Sequence, residues 1–316
     1  METKLLLQLD GLEHELRAPA RDDKFTLTVN ESLKVRAGSF ISILGDNGCG
    51  KTTLLSLLGL LREPDKVNGV FQVNGKDISN LRSRKKEKYL ESLRRQFIGF
   101  ALQSGELLPT LTVAENIAVP MRLNGIGQKE SSKRIKELLE IFEIVGKSHA
   151  RINTLSGGEY QRVVLARAIA HSPNIVFVDE PTSALHRKRA ELALRLLKET
   201  ALEKPDTAIV MVTHDQKFAE YFSDWIVDMA PVDMESERGG KKQAAGTIIA
   251  IRSNSPQEEN GAVSADNPVF SPRKSDSKLG RARYYTCLTW TDVYRERASW
   301  LHAFIIAACQ FYYCLD

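Results

Sequence analysis

SFISILGDNGCGKTTLLSLLGLL, residues 39–61, decides the fold. Its opening, SFISILG (39–45), is a nearly continuous apolar run of strand length. Such a run suits a strand buried on both faces. TTLLSLLGLL (52–61) follows with helical character. Between them GDNGCGKT (45–52) fits G-x-x-x-x-G-K-[ST], in the context that pattern needs: a strand before and a helix after. The chemistry accounts for the residue types. Gly45, Gly48 and Gly50 let the backbone bend so that successive N–H groups aim at phosphate oxygens. The loop opens a helix whose N-terminal dipole favours an anion. Lys51 brings a compact positive charge to the β- and γ-phosphates, and Thr52 offers a hydroxyl to Mg²⁺. Asn47, Cys49 and Thr53 complete the cradle. Cys49 is either a small filler or a thiol activated by the positive field of the loop.

Working outward, NIVFVDE (174–180) and TAIVMVTHD (207–215) read as two further buried strands. Amphipathic helices lie between them. In SSKRIKELLEIFEIV, Ile135, Leu138, Leu139 and Phe142 share one face; in HRKRAELALRLLKETALEK, Leu192, Leu196 and Leu197 do. Buried strands alternating with helices imply a parallel α/β sheet. Residues 5–9 and 25–35 alternate apolar and polar, as half-buried strands do. The strand at 174–180 ends in two acids. Asp179 at its carboxyl end suits a Mg²⁺-bound water. Neighbours on a strand point in opposite directions, so Glu180 takes a different task, as base or positioner of the attacking water.

LSGGEYQRVVLARAIAHSPNIVFVDEPTSAL (155–185) closely resembles the signature region of ATP-binding cassette proteins, with LSGGE (155–159) as its diagnostic part. The resemblance covers roughly residues 5–230. It implies an α/β P-loop fold with a parallel core sheet, an antiparallel β subdomain and an α-helical signature subdomain. Ser156 can cap a helix start, and Gly157 and Gly158 let the backbone close on an anion. In the family this turn, here Ser156 to Glu159, faces the γ-phosphate held by the opposite subunit. The implied assembly is a nucleotide-sandwich dimer of this chain with itself. Gln103, in IGFALQSGELLPTLTVAENIAVP (98–120), matches the family's glutamine loop, which touches Mg²⁺ or water and senses the permease. His214, in VMVTHDQ, matches the switch histidine at the γ-phosphate. The implied cofactors are ATP and Mg²⁺. The implied activity is ATP hydrolysis that powers a transmembrane permease, with no nucleic acid as partner.

QSGELLPTLTVAENIAVP resembles the cassettes that serve macrolide exporters, lipoprotein release and cell division. A regulatory cassette that energises a membrane complex without moving cargo is therefore the rival reading. Chromosome-maintenance cassettes need a long coiled-coil insertion, and this chain has no room for one. Tandem-cassette translation factors need a second cassette. Three departures from the family pattern stand out. The aromatic residue that stacks on adenine is missing near Leu16, which leaves aliphatic surface or Phe25 to serve. His186 replaces the aspartate of S-A-L-D, which bears on coupling between the two sites. Glu159 replaces the commoner glutamine.

The bulk properties agree with a mostly globular chain. Of 316 residues, 42% are hydrophobic and 27% charged, and the formal net charge of +4 is too modest to argue for nucleic acid or an anionic membrane. Cys49, Cys287, Cys309 and Cys314 offer neither C-x-x-C nor a zinc spacing, which fits a reducing compartment. The apolar run in METKLLLQLD is too short for a signal peptide, and no stretch before residue 300 is long enough to span a bilayer. The expected location is the cytoplasmic face of the membrane. We divide the chain into a cassette at 1–232, a flexible linker at 233–283 rich in Ser, Gly, Pro and charge, and a segment at 284–316. WLHAFIIAACQFYYCLD ends the chain with apolar and aromatic residues. It reads as a shortened permease helix, an interfacial anchor or a helix packed on a partner.

Overall fold

The computed structural model describes residues 3–17, 24–79, 84–102, 107–181, 187–234 and 243–254. In chain order the elements are β1 (Leu5–Leu9), β2 (Leu12–Arg17), β3 (Lys24–Val29), β4 (Leu33–Arg36), β5 (Phe40–Gly45), α1 (Lys51–Leu58), β6 (Lys66–Val67), β7 (Phe71–Val73) and β8 (Lys76–Asp77). There follow α2 (Arg84–Gln96), β9 (Ile98–Ala101), α3 (Val113–Leu123), α4 (Gln128–Ile141), α5 (Gly157–Ile169), β10 (Ile175–Asp179), α6 (Arg187–Leu202), β11 (Ala208–Thr213), α7 (Gln216–Phe222), β12 (Trp225–Met234) and β13 (Gln243–Ser253).

The main sheet has nine strands in the order β6-β2-β3-β13-β12-β5-β11-β10-β9. Strands β12, β5, β11, β10 and β9 run parallel. β10 and β11 are nearly continuous apolar runs because both faces of the sheet are covered there. In β10, Ile175 and Phe177 face one core, and Val176 and Val178 face the other. The same alternation splits Val210 and Val212 of β11 from Ile209 and Met211. On the first face α1 contributes Leu54, Leu55, Leu57 and Leu58, beneath a four-stranded antiparallel sheet of order β4-β1-β7-β8. On the second face lie α3 to α7. This is the expected α/β architecture, with a parallel core, an antiparallel β region and a helical region.

Two expectations are corrected. Residues 25–35 are two strands that belong to different sheets: β3 pairs with β2 and β13, while β4 pairs with β1. The linker expected at 233–283 is, over residues 243–253, a strand of the main sheet. β13 pairs antiparallel with β12 from Trp225↔Ser253 to Met234↔Gln243. It also pairs parallel with β3. The Thr247–Ile251 stretch supplies β-branched residues enough for a strand, in a region whose average composition is loop-like. Residues 255–316, including the apolar end of the chain, lie outside the described residues. Among the described residues no helix is long and apolar enough to cross a membrane.

Candidate active site

The carboxyl ends of three neighbouring strands, β5, β11 and β10, bring the candidate residues together. This is the edge at which open α/β sheets bind ligands. From β5 the chain turns through Gly48 at φ 86° and Gly50 at φ 95°, conformations that cost a Cβ-bearing residue heavily. It then enters α1 with no side-chain cap on the helix. First-turn amides without intrahelical partners are left to serve the loop, and they favour an anion. Asp46, Asn47, Gly48 and Thr52 are exposed, and Thr53 is half-buried. Lys51 is only 6% exposed, and its Nζ donates to the carbonyls of Gly45 (2.7 Å) and Asp46 (2.8 Å). The ammonium is thus held inside the curve of the loop. Cys49 is fully buried, and burial raises its thiol pKa against the opposing pull of Lys51. A protonated, enclosed thiol fits the filler role.

Asp179 ends β10 and is 3% exposed. Burial first, and the charge of Glu180 second, push its pKa up to about 6. Its Oδ1 accepts from Thr52 Oγ1 at 3.4 Å. A hydroxyl and a buried carboxylate at that distance form a hard-oxygen pair suited to Mg²⁺, and a cation there would offset the cost of the buried charge. Among the described residues no cluster of three His, Cys, Asp or Glu could hold a metal, so such an ion would need ligands beyond Thr52 and Asp179.

Glu180 takes a different partner. It follows β10 at φ 43°, and its N–H donates to Val212 O at 3.0 Å. Its Oε2 lies 2.8 Å from Nδ1 of His214, at the end of β11. The Glu180 side chain is 10% exposed and that of His214 is 49% exposed. A carboxylate held on an imidazole that faces solvent can accept a proton from water and position it.

The signature turn is built on a helix start. Ser156 caps α5 in a reciprocal box: Glu159 N donates to Ser156 Oγ (3.3 Å), and Ser156 N donates to Glu159 Oε2 (2.8 Å). Lys147 adds an ion pair to Glu159 at 3.1 Å. Burial pushes the Glu159 pKa up, but the bonds from Ser156 and Lys147 outweigh it and leave the carboxyl below its usual range. Ser156 and Gly157 are exposed and Gly158 is half-buried, so the turn lies at the surface. Gln103 and His186 fall outside the described residues, as does any description of the Leu16 side chain.

Several supporting residues are not evident from motifs. Asn116, fully buried in α3, accepts from Leu108 N (2.7 Å) and donates to the Leu108 and Thr112 carbonyls. Tyr160 Oη accepts from Leu107 N at 3.2 Å and so ties α5 to the chain that follows residues 103–106. Local sequence carries no sign of the Tyr160–Leu107 contact, which joins residues 53 positions apart. Gly246 in β13 is different: a lone glycine just before the β-branched run Thr247–Ile251 is a cue for close backbone approach.

The fold and this edge define a P-loop nucleoside-triphosphate-binding protein. A sequence profile described as ABC transporter matches residues 29–183. The lipoprotein-releasing system ATP-binding protein LolD of Bacteroides fragilis is 37% identical over 188 residues, which are 60% of this chain and 84% of that protein. The macrolide export ATP-binding/permease protein MacB of Chromobacterium violaceum is 36% identical over 287 residues, 91% of this chain but 42% of MacB. Among solved structures, the dimeric post-hydrolysis state of the ATP-binding cassette MJ0796 bound to ADP and Pi matches with a TM-score of 0.64 at 28% identity, covering 80% of this chain and 100% of that one. The chain belongs to the ABC transporter family and is an ATP-binding cassette with ATPase activity.

Proposed function

We propose that two copies of this chain close around two Mg-ATP molecules and that this closure drives a membrane permease from the cytoplasmic face. The observation that carries the reading is the meeting of three strand ends: Lys51 and Thr52 after β5, Asp179 and Glu180 at β10, and His214 at β11, with Glu180 bonded to His214 at 2.8 Å. Lys51, Thr52, Thr53 and the loop amides from Gly45 to Gly50 hold the phosphates. Thr52 and Asp179 hold Mg²⁺, which neutralises phosphate charge when bound. Gln103 joins that metal site and faces the permease. Glu180 takes the proton of the attacking water, and His214 orients Glu180 and reaches the γ-phosphate. Ser156, Gly157, Gly158 and Glu159 cover the γ-phosphate of the opposite protomer. The dimeric cassette among its relatives supports the pairing, and MacB, named as an ATP-binding and permease protein, supports a permease partner.

The test is Lys51→Ala in the full chain. Loss of the ammonium is expected to abolish ATP binding or turnover, measured by nucleotide titration and phosphate release. Wild-type ATPase activity in that variant would overturn the reading.

A further inference from the structure

The hairpin of β12 and β13 forms the floor of the phosphate loop and touches it at both ends. At the first end a Cβ built on Gly45 would lie 2.5 Å from the Met229 carbonyl oxygen and 3.2 Å from Met229 Cβ. Met229 sits where the β12–β13 register shifts, between Asp228 and Met229. At the second end a Cβ built on Gly246 would overlap the Cys49 carbonyl oxygen, and it would lie 2.9 Å from Phe25 Cζ. The Phe25 ring in turn lies 3.0 Å from the Cβ position of Gly50, the residue whose left-handed turn starts α1. Two backbone approaches and one ring therefore hold the loop from below.

Resting on the phosphate-loop reading above, we infer that Gly246 and Met229 are positioning residues for nucleotide binding, and that the C-terminal hairpin sets the shape of the 45–52 loop. The physical reason is close packing. A protein interior cannot absorb a new methyl against fixed backbone, so the backbone must move. Opposite Gly246 the backbone that must move is that of Cys49, inside the cradle. The hairpin is long, with ten residues in β12 and eleven in β13, and it is anchored in the sheet on both sides by β5 and β3. The sheet therefore resists displacement and the loop yields.

The experiment uses the full chain carrying Gly246→Ala, with Ile249→Ala as control, since Ile249 lies on the same strand and is 58% exposed. Gly246→Ala is expected to weaken ATP binding about tenfold or more, in line with the usual cost of overpacking. It is also expected to speed alkylation of Cys49, fully buried in the wild type, as followed by mass spectrometry of the peptide that contains it. Ile249→Ala should change neither. ATP affinity within about twofold of wild type together with unchanged Cys49 protection would overturn the inference. If Gly246→Ala does not fold, backbone hydrogen exchange of the wild-type chain decides. ATP should slow exchange in Trp225–Met234 and Gln243–Ser253, and protection confined to the loop itself would overturn the proposal. The two readings fail separately. Wild-type ATPase activity in Lys51→Ala removes the phosphate site, whereas normal ATP binding by Gly246→Ala alone removes only the hairpin's role.

Discussion

Glu180 occupies the left-handed region at φ 43°, which costs a residue with a side chain roughly 1–2 kcal/mol. The bend gives Glu180 an exit different from the pleat of β10. Asp179 faces Thr52, while Glu180 reaches across to His214 on the neighbouring strand. Its N–H is held by Val212 O, which ties the turn to β11. Glu180→Gln keeps the length of the side chain and its bond to His214 but removes the basic carboxylate. Loss of a positioned general base should lower turnover by about 10²- to 10⁴-fold. ATP binding should survive, so the variant should accumulate as an ATP-loaded dimer in size-exclusion chromatography. A monomeric variant that hydrolyses ATP normally would remove Glu180 from the chemistry.

At the scale of elements, sequence and structure agree where local pattern alone specifies the outcome. The loop at 45–52 was legible because its glycines are demanded by backbone geometry and its neighbours are an apolar strand and a helix. Asp179, Glu180 and His214 were legible as strand ends, but the 2.8 Å bond between Glu180 and His214 was not, because it joins residues that only sheet order makes neighbours. The hairpin was hidden for another reason. Charged, glycine-rich sequence around 235–242 lowers the average of a window that also contains Thr247–Ile251. Where the chain leaves α5, tertiary packing encloses the His171 ring. Burial lowers its pKa to about 4, against the opposing bond from Nε2 to the Ile98 carbonyl at 3.2 Å. In the unfolded chain the ring titrates near the usual value, about 6.5. Between those values the unfolded state binds the proton and the folded state does not, so stability is full above about pH 6.5 and falls as pH drops toward 4. The span corresponds to about 3 kcal/mol. His171→Gln keeps a donor for Ile98 and should flatten the fall in Tm between those pH values. An unchanged slope would show that other groups carry it.

For the whole molecule the decisive feature is that the phosphate loop and the signature turn stand on different parts of the fold. The loop starts α1 against the antiparallel sheet, while the turn starts α5 among the helices of the other face. A capped, exposed helix start with two glycines has the chemistry to hold an anion. In a two-fold dimer each loop would be covered by the partner's turn, so every site would be composite. Complementation between two defective chains tests this directly. Both carry Glu180→Gln so that nothing is consumed. One also carries Lys51→Ala, and the other Gly158→Asp, which places a carboxylate beside the incoming phosphate and repels it. An acid in the first turn of α5 suits the helix dipole, so the second variant should fold. In ATP each chain alone should stay monomeric, because every composite site has one damaged half. When the two are mixed, one site pairs the intact loop of the second chain with the intact turn of the first. A heterodimer holding one ATP should then appear, read by native mass spectrometry. If the mixture stays monomeric while the Glu180→Gln parent dimerises, loop and turn do not act across the two chains, and the sandwich must be abandoned in favour of a site contained within one protomer.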